Sequence, residues 1–376
     1  MKKAVKSIIL TSAAIIGMVY LRRYSYILKA IKINLNGGPL TPSNDDEENF
    51  PSKKISNSNP LIWKKHSQYN SKQISETLAE ELKKTRASSL VVIKERQIIH
   101  EQYWKKHTQL SLINSFSMTK GFLSLLTGFA IQDGFIDSEN QLISTVFPQY
   151  KNCQYGKNLT FKHLMTMQAG FDWNEEYRHP FAENSKQYFI DDLEKQVFET
   201  KLKNMPGEKY EYQSISAQLL GMALTQVTGK SLSQYMSEKI WKPLGMELSG
   251  KWSMDEKGNE KGFCCVHGTT RDFAKIGQFI LQKGMWEGKQ LLNKEYFEKM
   301  LTPTEENDAF CYTIWAGDDS QIEYRFFYGF LGQFIIIIPD QNMVIVKTGF
   351  YNKLEVDEKK RPLQVKILID ELLRIY

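Results

Sequence analysis

Residues 114–134 read NSFSMTKGFLSLLTGFAIQDG, a polar opening followed by an apolar run at helical spacing that stops at an aspartate and a glycine. Phe122, Leu125, Leu126, Phe129 and Ala130 fall on one face, the pattern of a helix packed on a core, and Asp133-Gly134 closes it. Ser117 and Lys120 interrupt this pattern, and only in the first turn. Three residues apart on a helix, their Cβ atoms stand about 5–6 Å from each other on a shared face. An amine at that distance can take the proton of a weak hydroxyl nucleophile, provided burial lowers its pKa. A serine at a helix start also presents a free backbone N–H, aided by the helix dipole, to a developing oxyanion. The bland alternative is a serine that only caps the helix. S-x-x-K occurs once in the chain, and the spacing alone does not separate the two readings.

Working outward, SSLVVIK and QIIHEQYW before the helix read as two strands joined at Glu95-Arg96, a hairpin, preceded by a helix near 71–85 that carries Ile74, Leu78 and Leu82. Beyond it, residues 135–300 alternate polar loops with amphipathic helices near 161–168, 215–228 and 231–241. The chain then returns to strands, RFFYGF, QFIIIIPD and MVIVKTG, and ends in the helix LQVKILIDELLRI. This order predicts an α/β (α+β) fold, an antiparallel sheet flanked by helices with an inserted all-α domain. The α/β part would comprise residues 61–134 and 301–376 and the helical part 135–300. A ligand pocket is expected in the cleft between them.

Composition narrows the function classes. The 376-residue chain has a formal charge of +6, but residues 1–33 carry +7, so the remainder is −1. No basic excess is left in the folded part for nucleic acid. Cys153, Cys264, Cys265 and Cys311 show no C-x-x-C spacing, and the six histidines form no H-x-H or H-x-x-x-H pattern, so neither a metal site nor a disulfide framework is expected. At the N-terminus, MKKAVK, the apolar run SIILTSAAIIGMVYL and a pair of arginines predict a signal anchor over residues 1–35, with a cleaved export signal as the alternative. That places the protein on a membrane, held by this N-terminal helix, with its catalytic domain periplasmic or on the cell surface. Residues 36–60, rich in Gly, Pro, Ser and Asn, read as linker.

Blocks along the chain carry a resemblance: SFSMTKGFLSLLTGFAIQDGFI, FKHLMTMQAGFDW, PGEKYEYQSISAQLLGMALTQVTGKSL, GTTRDFAKIGQFIL and GFLGQFIIIIPD. In this order, over residues 70 to 376, the chain resembles the serine β-lactamase-related hydrolases, nearest to class C β-lactamase-like esterases, D-alanyl-D-alanine carboxypeptidases and 6-aminohexanoate-oligomer hydrolases. The resemblance implies the same two-part architecture and three site elements: S-x-x-K, Y-x-N, and K/H-x-G on a strand lining the cleft. Tyr150-Lys151-Asn152 and Lys347-Thr348-Gly349 match the second and third literally, but their positions in the chain do not fit. Tyr212-Gln213-Ser214, just before a helix, occupies the setting of the second element, with Ser214 in place of asparagine. Phe327-Tyr328-Gly329, before the turn GFLG, occupies that of the third, with no Lys or His at its head.

The resemblance implies a serine hydrolase that forms an acyl-enzyme without metal or organic cofactor. Ser117 is the expected nucleophile and Lys120 and Tyr212 the acid/base pair, with their order of action left open. Backbone N–H groups of Ser117 and Phe330 would hold the oxyanion, and Gly329, Phe327, Ser214 and Trp315 would border the substrate. Without a cation at position 327 to meet a substrate carboxylate, the expected substrate is a neutral or cationic small-molecule or peptide-like ester or amide. The rivals are a β-lactamase or D-alanyl-D-alanine carboxypeptidase, and a catalytically silent binding protein of the same fold.

Overall fold

The structure, a computed structural model, describes residues 24–35, 42–177, 179–318, 322–351 and 353–376. The chain enters through helix α1 (Ser25–Leu35) and strand β1 (Ser52–Ile55). Helix α2 (Glu76–Lys84) starts later than periodicity alone suggests, because the Ser75 hydroxyl accepts from the Leu78 amide and caps it there. Strands β2 (Ala87–Lys94) and β3 (Gln97–Tyr103) are joined by Glu95 and Arg96, both at positive φ (50° and 65°), as the twist of a two-residue hairpin demands. Strand β4 (Ile113–Asn114) leads into helix α3 (Met118–Gln132). The insertion follows with α4 (Phe161–Met165), α5 (Glu183–Phe189), α6 (Leu193–Glu199), α7 (Ser214–Thr228) and α8 (Leu232–Met236), then β5 (Gly250–Ser253) and β6 (Val266–Gly268). Helix α9 (Thr270–Leu281), a short hairpin of β7 (Met285–Trp286) and β8 (Lys289–Gln290), and α10 (Lys294–Leu301) come next. Strands β9 (Trp315–Gly317), β10 (Tyr324–Gly329), β11 (Gln333–Ile338) and β12 (Met343–Gly349), then α11 (Leu363–Ile375), finish the chain.

The main sheet has the order β3-β2-β12-β11-β10-β9, antiparallel throughout. Strands β11 and β12 are buried at every position because helices cover both faces. Val344 and Lys347 of β12, an odd number of residues apart, point to opposite faces. A Cβ built on Gly277 of α9 would come within 2.5 Å of Val344, whereas the Lys347 amine reaches Gln364 of α11 at 3.0 Å, so α9 lies on one face and α11 on the other. Helix α3 shares the face of α9, with Phe122 stacked on Phe273. The predicted mixed fold, an antiparallel sheet flanked by helices, is the one observed.

Several expectations need correction. Residues 42–55, read as linker, are part of the fold: β1 pairs with β5 in register Ser52↔Ser253, Ile55 is fully buried, and buried Asn44 donates to the Gly349 carbonyl at 2.6 Å. Their polar composition hid them because those polar groups have fixed partners inside. The middle of the chain is not helical throughout, since it contributes β5 and β6 to a second sheet, β1-β5-β6-β4, whose strands of two to four residues are too short to display an alternation. Cys264 and Cys265, adjacent in sequence, are joined by a disulfide that no spacing rule anticipates. Arg271 grips Glu101 through two nitrogens (3.1 and 2.7 Å), while Asp272 accepts the amides of Glu247 and Leu248.

The expected membrane anchor is also overturned. Among the described residues no helix is long and apolar enough to cross a membrane, so the membrane-anchored, periplasmic or cell-surface location that depended on one is withdrawn. Residues 25–35 of the expected anchor instead form α1, which docks on the protein. Tyr26 is buried and donates to the Pro180 carbonyl at 3.1 Å, and the Lys29 amine sits 2.6 Å from Asp191 and 2.7 Å from Glu256. The apolar run itself, within residues 1–23, lies outside the described residues.

Candidate active site

The passage from β4 into α3 sets the position of Ser117. The Asn114 side chain accepts from the Phe116 amide at 2.8 Å, and Phe116 adopts φ 45°, a left-handed conformation uncommon for a bulky side chain. The chain thereby turns sharply into the helix with Ser117 at its N-cap. One turn on, Lys120 is 1 % exposed, and its amine lies 2.9 Å from Ser117 Oγ and 2.8 Å from the Phe263 carbonyl. Burial lowers its pKa to about 8, against the opposing pull of the Glu175 charge. Tyr212, two residues before the start of α7, lines the same cavity as Ser117, and its ring centroid is 5.2 Å from the Lys120 amine. Burial holds the Tyr212 phenol well above its ordinary pKa. The structure thus brings Ser117, Lys120 and Tyr212 into one cluster.

Strand β10 ends against this cluster. A Cβ on Gly329 would lie 2.6 Å from the Ser115 carbonyl, so only hydrogen fits there and the strand end sits tight against the segment leading to Ser117. Phe330 follows at the turn. Among the described residues the amides of Ser117 and Phe330 have no hydrogen-bond acceptor, and both residues line the same cavities. We expect Gly329→Ala to displace this strand and lower kcat/KM by about a hundredfold, the scale of a 1 Å misplacement, with little change in KM. Steady-state kinetics beside a thermal melt checks it.

Not every expected residue reaches the cleft. Phe327, read as a substrate-bordering residue, is 1 % exposed and its ring lies over Gly121 of α3, where a Cβ would meet it at 2.2 Å. It packs in the core because strand alternation turns it towards α3, and Tyr328, facing the other way, lines the cavity instead. Ser214 lines the cleft but is held by Glu175: its amide and hydroxyl donate to the two carboxylate oxygens at 2.8 and 2.7 Å. Trp173 and Tyr177 donate to the same carboxylate, each at 2.6 Å. Trp315 lines the cleft and stacks on Tyr212, centroids 6.2 Å apart, which fixes the phenol ring. Tyr210 and Tyr328 also border it and went unread in the sequence; the alternation of RFFYGF could have pointed to Tyr328. Of the two literal motif matches set aside, Tyr150 is buried near Phe198, and the Lys347 amine is buried 3.1 Å from the Gly332 carbonyl. Neither lines the cleft.

Two cavities meet at Ser117. The larger, about 760 Å³, is bordered by Tyr212, Trp315, Tyr328, Glu175 and Phe330. The smaller, about 400 Å³, lies between Ser117 and helix α1. A hydroxyl at the junction, an amine of lowered pKa beneath it and a neutral phenol beside it form a set able to carry acyl transfer.

Comparison with known proteins agrees with this chemistry. The family model described as Beta-lactamase matches residues 75–366. A solved structure from Bacillus anthracis, provisionally described as a 6-aminohexanoate-dimer hydrolase, superposes with a TM-score of 0.78 at 22 % identity, covering 89 % of this chain and 94 % of that one. A family VIII carboxylesterase gives a TM-score of 0.63 at 15 % identity, over 83 % and 99 % of the two chains. The 6-aminohexanoate-dimer hydrolase of Paenarthrobacter ureafaciens is 22 % identical over 234 residues, 60 % of this chain and 59 % of that protein.

Proposed function

We propose, from the premise that this chain belongs to the beta-lactamase family of serine hydrolases, that it cleaves a neutral or cationic ester or amide through an acyl-enzyme on Ser117. The observation that carries this reading is the Lys120 amine, buried and 2.9 Å from Ser117 Oγ. Burial opposes charge on both partners of the acid/base pair, which lowers the lysine and raises the tyrosine. Environments that push two pKa values apart assign the roles: Lys120 is the base and Tyr212 the acid.

Lys120 takes the hydroxyl proton as Ser117 Oγ attacks the carbonyl carbon, and the amides of Ser117 and Phe330 receive the oxyanion. When the bond to the leaving atom breaks, Tyr212 gives that atom its phenolic proton and is reprotonated from the Lys120 ammonium. A water then attacks the acyl carbonyl. Its proton passes to the Lys120–Tyr212 pair, and Ser117 Oγ regains a proton as the acid departs.

The charges around the cleft oppose a carboxylate-bearing substrate. Phe327 offers no cation, and Glu175 places a negative charge beside Ser214. The lysines at the exposed rim, Lys359, 2.6 Å from Asp308, and Lys360, stand there with Glu176 and Glu358. We expect a p-nitrophenyl ester to be turned over in a Ser117-dependent manner while a fluorescent penicillin leaves no stable adduct at micromolar concentration. A stable penicilloyl adduct on Ser117 would overturn this substrate assignment.

A further inference from the structure

We infer that the cavity between α1 and Ser117 receives an apolar acyl group, so that the preferred substrates are esters or amides of apolar acids and the N-terminal helix sets their chain length. This rests on the roles proposed above for Ser117 and Tyr212. Ser117 borders both cavities, whereas Tyr212 borders only the larger. An acid must stand within hydrogen-bond reach of the atom it protonates, so the leaving group belongs in the cavity that holds Tyr212. The acyl portion, on the other side of the attacked carbonyl, is then directed into the smaller one.

The lining is mostly apolar, with His179, Asn184, Ser185 and Ser214 among its polar side chains. Ile27, Ala30 and Ile31 of α1 face Phe116, Phe189 and Phe263 across the cavity, and among the described residues no Asp, Glu, Lys or Arg lines it. Its volume of about 400 Å³ is in the range of small-molecule sites, about 300–1,000 Å³. The wall formed by α1 is held in place: Lys29, outside the cavity, is paired with Asp191 and Glu256, and Tyr26, on the cavity wall, donates to the Pro180 carbonyl. Leu28 of the same helix is 55 % exposed and does not line the cavity.

The test is kcat/KM of the full chain on p-nitrophenyl acetate, butyrate, hexanoate and octanoate. Burying each added methylene should raise it about fourfold until the cavity is filled. Ala30→Trp, which fills the cavity from the α1 side, should lower the octanoate-to-acetate ratio at least about tenfold, and Leu28→Trp should leave that ratio unchanged. If Ala30→Trp does not fold, Ile31→Trp, at a position already 43 % exposed, reads the same ratio. A flat or falling chain-length profile with Ser117-dependent turnover intact, or an unchanged ratio in a folded cavity-filling variant, overturns the acyl-site assignment alone. Absence of Ser117-dependent turnover across the whole series overturns the mechanism beneath it, and this assignment with it.

Discussion

Ser117→Ala is expected to lower kcat on an activated ester by at least about four orders of magnitude while leaving the fold and its melting temperature near those of the parent. The size follows from the surroundings. Ser117 is the hydroxyl at the junction of the two cavities with an amine of lowered pKa 2.9 Å away. The nearby Ser214 hydroxyl cannot substitute, because it is committed to Glu175 at 2.7 Å. Any remaining activity would come from substrate binding and the two backbone amides, the part of such a site that survives loss of its nucleophile. Burst kinetics check the prediction: the parent should release a stoichiometric first product and the variant none. Residual turnover above about one per cent would place the nucleophile elsewhere.

The second large effect is expected for Lys120→Met, which keeps the length and packing of the side chain and removes only the amine. Turnover should fall by about three orders of magnitude, within the usual contribution of general acid–base catalysis, with a smaller change in KM. The pH dependence sharpens this. The neutral amine is the working form and it predominates above about pH 8, so kcat/KM of the parent should rise with pH and level off above that value. The variant should lose this limb.

Stability has its own pH dependence through the same group. The folded pKa of Lys120 lies below the unfolded value of 10.5, so the unfolded chain holds the extra proton between about pH 8 and 10.5. Burying the amine therefore opposes folding most fully below pH 8, and this penalty lessens as pH rises from there to 10.5. Lys120→Met removes that dependence, so its melting temperature relative to the parent's should fall as pH rises from about 8 to 10.5. A fall in activity accompanied by an equal loss of folded protein would make Lys120 structural rather than a base.

How much of this was legible in the sequence depends on the range of the forces involved. Helix α3 was readable because its apolar period runs without interruption after the first turn, and the main-sheet strands because QFIIII and MVIVKTG have the composition of strands covered on both faces. The pairing of Ser117 with Lys120 follows from helical geometry alone. Tyr212 is another matter, since nothing local marks it and only the resemblance of its surrounding block singled it out. Which way Phe327 points was not readable, because it depends on how β10 is set against α3 and Gly121. The integration of residues 42–55 and the docking of α1 depend on partners far along the chain, such as Gly349 for Asn44 and Asp191 for Lys29. The hold on Glu175 by four donors from Trp173, Tyr177 and Ser214 exists only in three dimensions.

The most direct test of the mechanism is to quench the reaction with a slowly deacylating ester and locate the acyl group by mass spectrometry of the digested protein. The mechanism predicts one added acyl mass, on the peptide containing Ser117 and on that oxygen, with none in Ser117→Ala. An acyl group on any other residue, or the same adduct formed equally by the variant, would contradict it.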